Sequence, residues 1–147
     1  ANMYAAHEGL SNRMQRLLSG LTAVHEGNQY YRNRYGSGTM RDSQHPTAEH
    51  PVVRTHPTTG RQALYVNEGF TTRIKELPVA ESDALLTFLF KHCAKPDFQC
   101  RFRWRVNSIA FWDNRCTQHL AVWDYYPETR HGYRVTIQGD APYYKAP

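Results

Sequence analysis

From Gln99 onward the chain is patterned for β-structure. Cys100, Phe102 and Trp104 alternate with Arg101, Arg103 and Arg105. Successive side chains of a strand point to opposite faces, so this stretch predicts one apolar and one basic face. Short runs follow at Ser108 to Trp112, His119 to Trp123 and Gly132 to Ile137, the last two joined by a turn at Pro127-Glu128-Thr129. Four strands in a row demand a second layer to cover their apolar faces. The expected architecture is therefore mainly β, a sandwich or jelly roll with helices packed outside.

The helices are expected earlier in the chain. Leu10, Met14, Leu17, Leu18 and Leu21 form an apolar stripe within a helical region over residues 2–27. Gly9 divides it, Ser11 is suited to cap the second part, and Gly20 to stop it. Residues 27–50 have no period and read as a long surface loop, with Tyr30, Tyr31 and Tyr35 anchoring it. Val52 to Val66 reads as a hairpin about the turn Pro57–Gly60. Glu81 to Cys93 reads as an amphipathic helix capped by Ser82, burying Leu85, Leu86, Leu89, Phe90 and Cys93.

The bulk numbers exclude several classes. No apolar run reaches the roughly 18 residues of a membrane span, and no secretory leader pattern is present. A formal charge of +5 over 147 residues suits a small anionic ligand and does not require nucleic acid. Arg101, Arg103 and Arg105 are expected to form ion pairs within a sheet. Cys93, Cys100 and Cys116 show no pairing pattern. They read as packing residues in a reduced, cytoplasmic setting.

The chemistry-bearing stretch runs from Phe111 to His119 and on to Arg130 and Arg134. A turn near residues 127–128 sets His119 opposite about residue 136, so His119 and Arg134 become diagonal neighbours on one face. Imidazole is a good ligand for first-row metals. Guanidinium grips a carboxylate with paired hydrogen bonds. A metal ligand beside two such groups suits a metal-chelating dicarboxylate.

These motifs resemble the taurine dioxygenase (TauD/TfdA) family. The run Trp112-Asp113-Asn114-Arg115-Cys116-Thr117-Gln118-His119 is similar to its C-terminal signature. So are His50-Pro51-Val52-Val53-Arg54-Thr55-His56-Pro57, Thr59-Gly60-Arg61, Val66 to Ile74 and Arg134 to Asp140. The resemblance covers essentially all of residues 1–147. It implies the C-terminal part of a double-stranded β-helix (jelly roll), with iron(II) as metal and 2-oxoglutarate as cosubstrate. It also implies His119 as the distal iron ligand, Arg130 and Arg134 on 2-oxoglutarate, Arg134 and Phe70 on the substrate, and no catalytic residue beyond the iron ligand. The implied reaction couples decarboxylation of 2-oxoglutarate to succinate with hydroxylation of a small anionic substrate. Taurine or a related sulfonate stands first, an alkyl sulfate or aryloxyalkanoate second. A homo-oligomer is expected.

The sequence departs from the family at one point. The family's iron site also needs a His-x-Asp pair, and none of the eight histidines has an acidic residue two positions on. In the family that pair lies upstream, as does most of the substrate pocket. The expectation is a piece of a longer protein whose N-terminal portion completes the fold. His56 and Asp113 are the first candidates for a substitute set within the chain. The alternative is a catalytically incomplete fragment with an assembly or binding role.

Overall fold

A computed structural model describes residues 1–27 and 46–146. The anchoring role expected of Tyr30, Tyr31 and Tyr35 falls outside the described residues.

The chain opens with α1 (Met3–Glu8) and α2 (Asn12–Leu18), separated at Gly9. Asn2 Oδ1 accepts from the Tyr4 and Ala5 amides, and Ser11 Oγ accepts from the Met14 amide, so both helices start on side-chain caps. Gly9 also sits where a Cβ would lie 2.8 Å from the Phe98 ring, so close packing as well as helix breaking holds a glycine there. Leu10 and Leu18 are buried, whereas Leu17 points out at 54% exposure.

The helical expectation fails after Leu18. Gly20 adopts φ +80° and reverses the chain, and β1 (Thr22–Glu26) follows instead of more helix. It pairs antiparallel with β2 (Thr47–Pro51) on one side and β5 (Thr71–Ile74) on the other, with an irregularity between Val24 and His25. The end of the expected 27–50 loop is thus a strand. The expected hairpin is present: β3 (Val53–Thr55) pairs antiparallel with β4 (Gln62–Leu64) around a turn closed by the Gly60 amide on the His56 carbonyl.

The third helix, α3 (Val79–Cys93), starts two residues before its expected position. Ser82 does not cap it. Its Oγ instead accepts from the Ile74 amide at 2.8 Å and is buried, tying α3 to β5. Leu86, Leu89 and Cys93 face a core shared with Met3, Ala6, Leu18, Val52, Val53, Leu64 and Ile74. Burial pushes the Cys93 thiol up to about 12, so it is inert packing. Cys116 is half-buried, but Cys100 is exposed and fills no core position, contrary to expectation; all three are free.

The largest departure lies beyond Gln99. Among the described residues, none of the four expected strands forms, and a single bridge pairs Asn2 with Thr117. The turn at Pro127 is present, with the Glu128 amide on the Tyr125 carbonyl at 2.7 Å. Val106, Ile109, Phe111, Leu120, Tyr133, Val135 and Ile137 are all at least 80% exposed. Alternation specifies a strand's faces, but a strand exists only when another strand takes its N–H and C=O groups. The expected sheet of ion-paired arginines is correspondingly reduced to Arg101 with Asp124, both exposed.

Candidate functional site

Residues 113–119 present His119 on an anchored turn. The Asp113 carbonyl accepts from Thr117 Oγ1 at 2.7 Å, and the Asp113 carboxylate takes the Arg115 amide at 2.8 Å. Met3 donates its amide to the Cys116 carbonyl, Gln118 donates its amide to the Ala1 carbonyl, and Gln118 Nε2 reaches the Val66 carbonyl at 2.5 Å. The segment is thus stitched to α1 and to the end of the β3–β4 hairpin just before His119.

His119 itself is exposed, with its ring 4.8 Å from that of Trp112. Partial burial lowers its pKa, and the Arg134 charge lowers it further. His119 and Arg134 are therefore close enough to act on each other. The deprotonated form so favoured is the one that ligates metal. Arg130 stands over the Tyr125 ring at 6.0 Å, at the outer limit of a cation–π contact. Phe70 is half-buried in the turn before β5, where Asn67 Oδ1 accepts its amide at 2.9 Å and its carbonyl takes the Glu26 amide.

The residues present fit an iron site only in part. His119 supplies an accessible imidazole, but it belongs to no cluster of three metal-donor side chains among the described residues. The one such cluster is His56, Asp113 and Cys116, with donor atoms within 4.8 Å of one another. Its donors are already engaged. His56 Nδ1 accepts the Thr58 and Thr59 amides, which leaves the proton on Nε2, 3.1 Å from Asp113 Oδ2. Arg115 grips the same carboxylate through Nε and Nη2. That grip, helped by His56, holds the Asp113 carboxyl well below the usual carboxylate range and raises Arg115. His56 and Asp113 thus form a hydrogen-bonded pair closed by an arginine, and among the described residues no three-donor set includes His119.

Sequence reasoning missed the ion-pair network around this pair. Arg54, only 1% exposed, donates Nη2 to Asp140 Oδ2 at 2.8 Å and lies 5.0 Å from the Tyr65 ring. Arg115 Nη1 reaches the other oxygen of Asp140 at 3.7 Å. The available signal was Arg54 itself, a charge in a strand whose three residues are all buried, which demands a carboxylate partner.

The fold is a partial β-structure that carries an exposed imidazole, His119, on an anchored turn. The chain belongs to the taurine catabolism dioxygenase TauD, TfdA family, whose model matches residues 1–136. It is 42% identical over 146 residues to a Schizosaccharomyces pombe protein named, provisionally, as an alpha-ketoglutarate-dependent sulfonate dioxygenase; the match covers 97% of this chain and 37% of that protein. It is 37% identical over 144 residues to the alpha-ketoglutarate-dependent sulfonate dioxygenase of Saccharomyces cerevisiae, covering 97% of this chain and 35% of the relative. Among solved structures it resembles a taurine dioxygenase from Burkholderia xenovorans, with TM-score 0.65 and 36% identity over 78% of this chain and 37% of the other. The chain therefore spans little more than a third of the length of these relatives.

Proposed function

We propose that this chain is the C-terminal portion of an iron(II)- and 2-oxoglutarate-dependent dioxygenase with a jelly-roll body. Its substrate is a small organic anion, with taurine or a related sulfonate first. The observation that carries this reading is His119 with Arg134 close enough to lower its pKa, on a chain whose family match runs through both residues. In this reading His119 is one iron ligand, Arg130 and Arg134 take carboxylates of 2-oxoglutarate, and Arg134 also faces the substrate anion with Phe70. Bound iron supplies the oxygen chemistry. The protein supplies the ligands, the clamps and a water-shielded pocket. The N-terminal portion of the fold brings the other two iron ligands. A cytoplasmic homo-oligomer is the proposed state.

The test uses the complete protein that carries this chain. Arg130→Ala should weaken 2-oxoglutarate binding by about 1.5–3 kcal/mol, the scale of a hydrogen bond to a charged group. Titration calorimetry that finds the affinity unchanged removes Arg130 from the site.

A second reading is a catalytically incomplete protein with a binding or assembly role. It is favoured by the lack of a three-donor cluster around His119 among the described residues. Succinate formation by the complete protein, abolished in His119→Ala, decides against it.

A further inference from the structure

His119 and Phe70 stand on segments far apart in sequence, and one side chain joins those segments. Gln118, the residue before His119, donates Nε2 to the Val66 carbonyl at 2.5 Å. Val66 is 0% exposed and leads into the turn that carries Phe70. β4 ends at Leu64, so the Val66 carbonyl lies past the β3–β4 pairing, and a side chain takes it in place of a strand.

We propose that Gln118 is a positioning residue that couples these two segments, so that His119 and Phe70 are held in one frame. Its significance for the reaction rests on the proposed dioxygenase reading, in which His119 meets the iron and Phe70 the substrate. The link itself does not rest on that reading.

Both ends of the link are fixed, which is what allows it to transmit position. At one end, residues 116–118 lie along the start of the chain about the Asn2–Thr117 bridge. Met3 donates its amide to the Cys116 carbonyl at 2.9 Å, Gln118 donates its amide to the Ala1 carbonyl at 3.0 Å, and the Ala1 nitrogen reaches the Gln118 carbonyl at 2.6 Å. The backbone of Gln118 is thus held on both its polar groups before its side chain is placed. At the other end, the turn after Val66 is closed on itself. Asn67 donates its amide to Thr71 Oγ1 at 3.0 Å, accepts the Thr71 amide on its carbonyl at 3.0 Å, and accepts the Phe70 amide on Oδ1 at 2.9 Å. The Phe70 carbonyl takes the Glu26 amide of β1 at 2.7 Å. A turn this short with three internal bonds moves as a unit, so a hold at Val66 is a hold at Phe70.

The link also explains why glutamine suits this position. The target is a buried carbonyl, and a buried acceptor left without a donor is unfavourable. Glutamine carries an N–H donor at the end of its side chain. Glutamate would turn acceptor oxygens toward an acceptor, and methionine matches the length without a donor. A planar peptide unit and two soft dihedrals per residue separate Gln118 from His119. Fixing Gln118 by its amide, its carbonyl and its side chain therefore leaves His119 little room to swing.

Hydrogen–deuterium exchange on the complete protein tests the link without iron or 2-oxoglutarate. Gln118→Met should raise exchange at least fivefold in peptides covering residues 66–72 and 116–120, and leave α3 within twofold of wild type. With iron(II), 2-oxoglutarate and taurine added, the sulfite released per succinate formed should fall at least threefold. Partial unfolding removes enzyme and lowers both products alike, so this ratio reads placement rather than stability. Gln118→Asn keeps the donor on a shorter stem. It should shift both readings in the same direction by less, and it serves if Gln118→Met does not fold. A folded variant with wild-type exchange in both peptides, or one with loosened peptides and an unchanged ratio, overturns the proposal. A wild-type protein that releases no sulfite, in which the exchange changes still appear, would overturn the sulfonate dioxygenase reading and leave the link standing.

Discussion

His25 and His50 sit with ring centroids 5.1 Å apart, each also against Tyr65. His25 Nε2 is buried without a hydrogen-bond partner among the described residues. Burial, with His50 nearby, lowers the His25 pKa to about 4, and burial with Arg54 nearby lowers His50. An unfolded histidine titrates near 6.5. The unfolded state therefore binds more protons across that window, and stability must fall as pH drops from about 6.5 towards about 4. The ceiling for His25 is about 3 kcal/mol, reduced by its partial exposure. Urea unfolding of the complete protein should show a shallower acid loss in His25→Gln than in wild type. At the same scale, Arg134→Leu should reduce sulfonate turnover more than uncoupled 2-oxoglutarate decarboxylation, if Arg134 faces the substrate as well as the cosubstrate as the proposed function has it. Parallel measurement of succinate and sulfite checks this, and equal losses would confine Arg134 to the cosubstrate or the fold. The resemblance alone raised His119, Arg130 and Arg134 from ordinary sheet residues to candidate site residues. Geometry read from the sequence set His119 beside Arg134 through a strand pair that is absent among the described residues. Arg54 and Asp140 were not legible as a pair, because 86 residues separate them and no local pattern links them.

At the scale of elements, α3 and the β3–β4 hairpin were legible because each carries its signal locally. The helix has a periodic apolar face. The hairpin has two short runs around a Gly-containing turn, with Gly60 at φ +70°. The β1–β2–β5 sheet was not. Leu21 continues the spacing of the preceding stripe, and β2 contains a single apolar side chain before Pro51, Ala48. Its pairing comes from β1, through contacts no local window contains. Ser82 shows the same limit: its position before an apolar run suggested a cap, but tertiary packing gave its hydroxyl to the Ile74 amide. Ser82→Ala should leave that buried amide without a partner and cost about 1–3 kcal/mol. Ser82→Thr should cost less where its extra methyl is accommodated. Denaturant midpoints of the two variants would check this. An alanine variant as stable as wild type would show that the Ser82 hydroxyl contributes nothing to holding α3 on β5.

At the scale of the whole molecule, the two halves of the chain differ in kind. The described residues up to 98 build a core in which Met3, Leu18, Val52, Val53, Leu64, Ile74 and Leu89 are at most 1% exposed. Beyond Gln99 the chain keeps the alternation of strands without their ladders, and Phe111, Tyr133 and Val135 are at least 90% exposed. Unpaired strand segments with apolar side chains in water invite association with any other edge. His119 stands in the same half, in no three-donor cluster among the described residues. Iron(II) lies low in the divalent affinity order, so one imidazole holds it weakly. The isolated 147-residue chain should therefore neither consume 2-oxoglutarate with iron(II) nor remain monomeric at micromolar concentration. Supplying the upstream portion of the family fold, fused or as a separate chain, should restore both properties together, because the strands that cover the apolar faces are expected to bring the missing ligands. Light scattering and a succinate assay on the same preparations make the comparison. Strong succinate formation by the chain alone, lost in His119→Ala and confirmed by intact mass to come from these residues only, would show that the chain completes its own iron site.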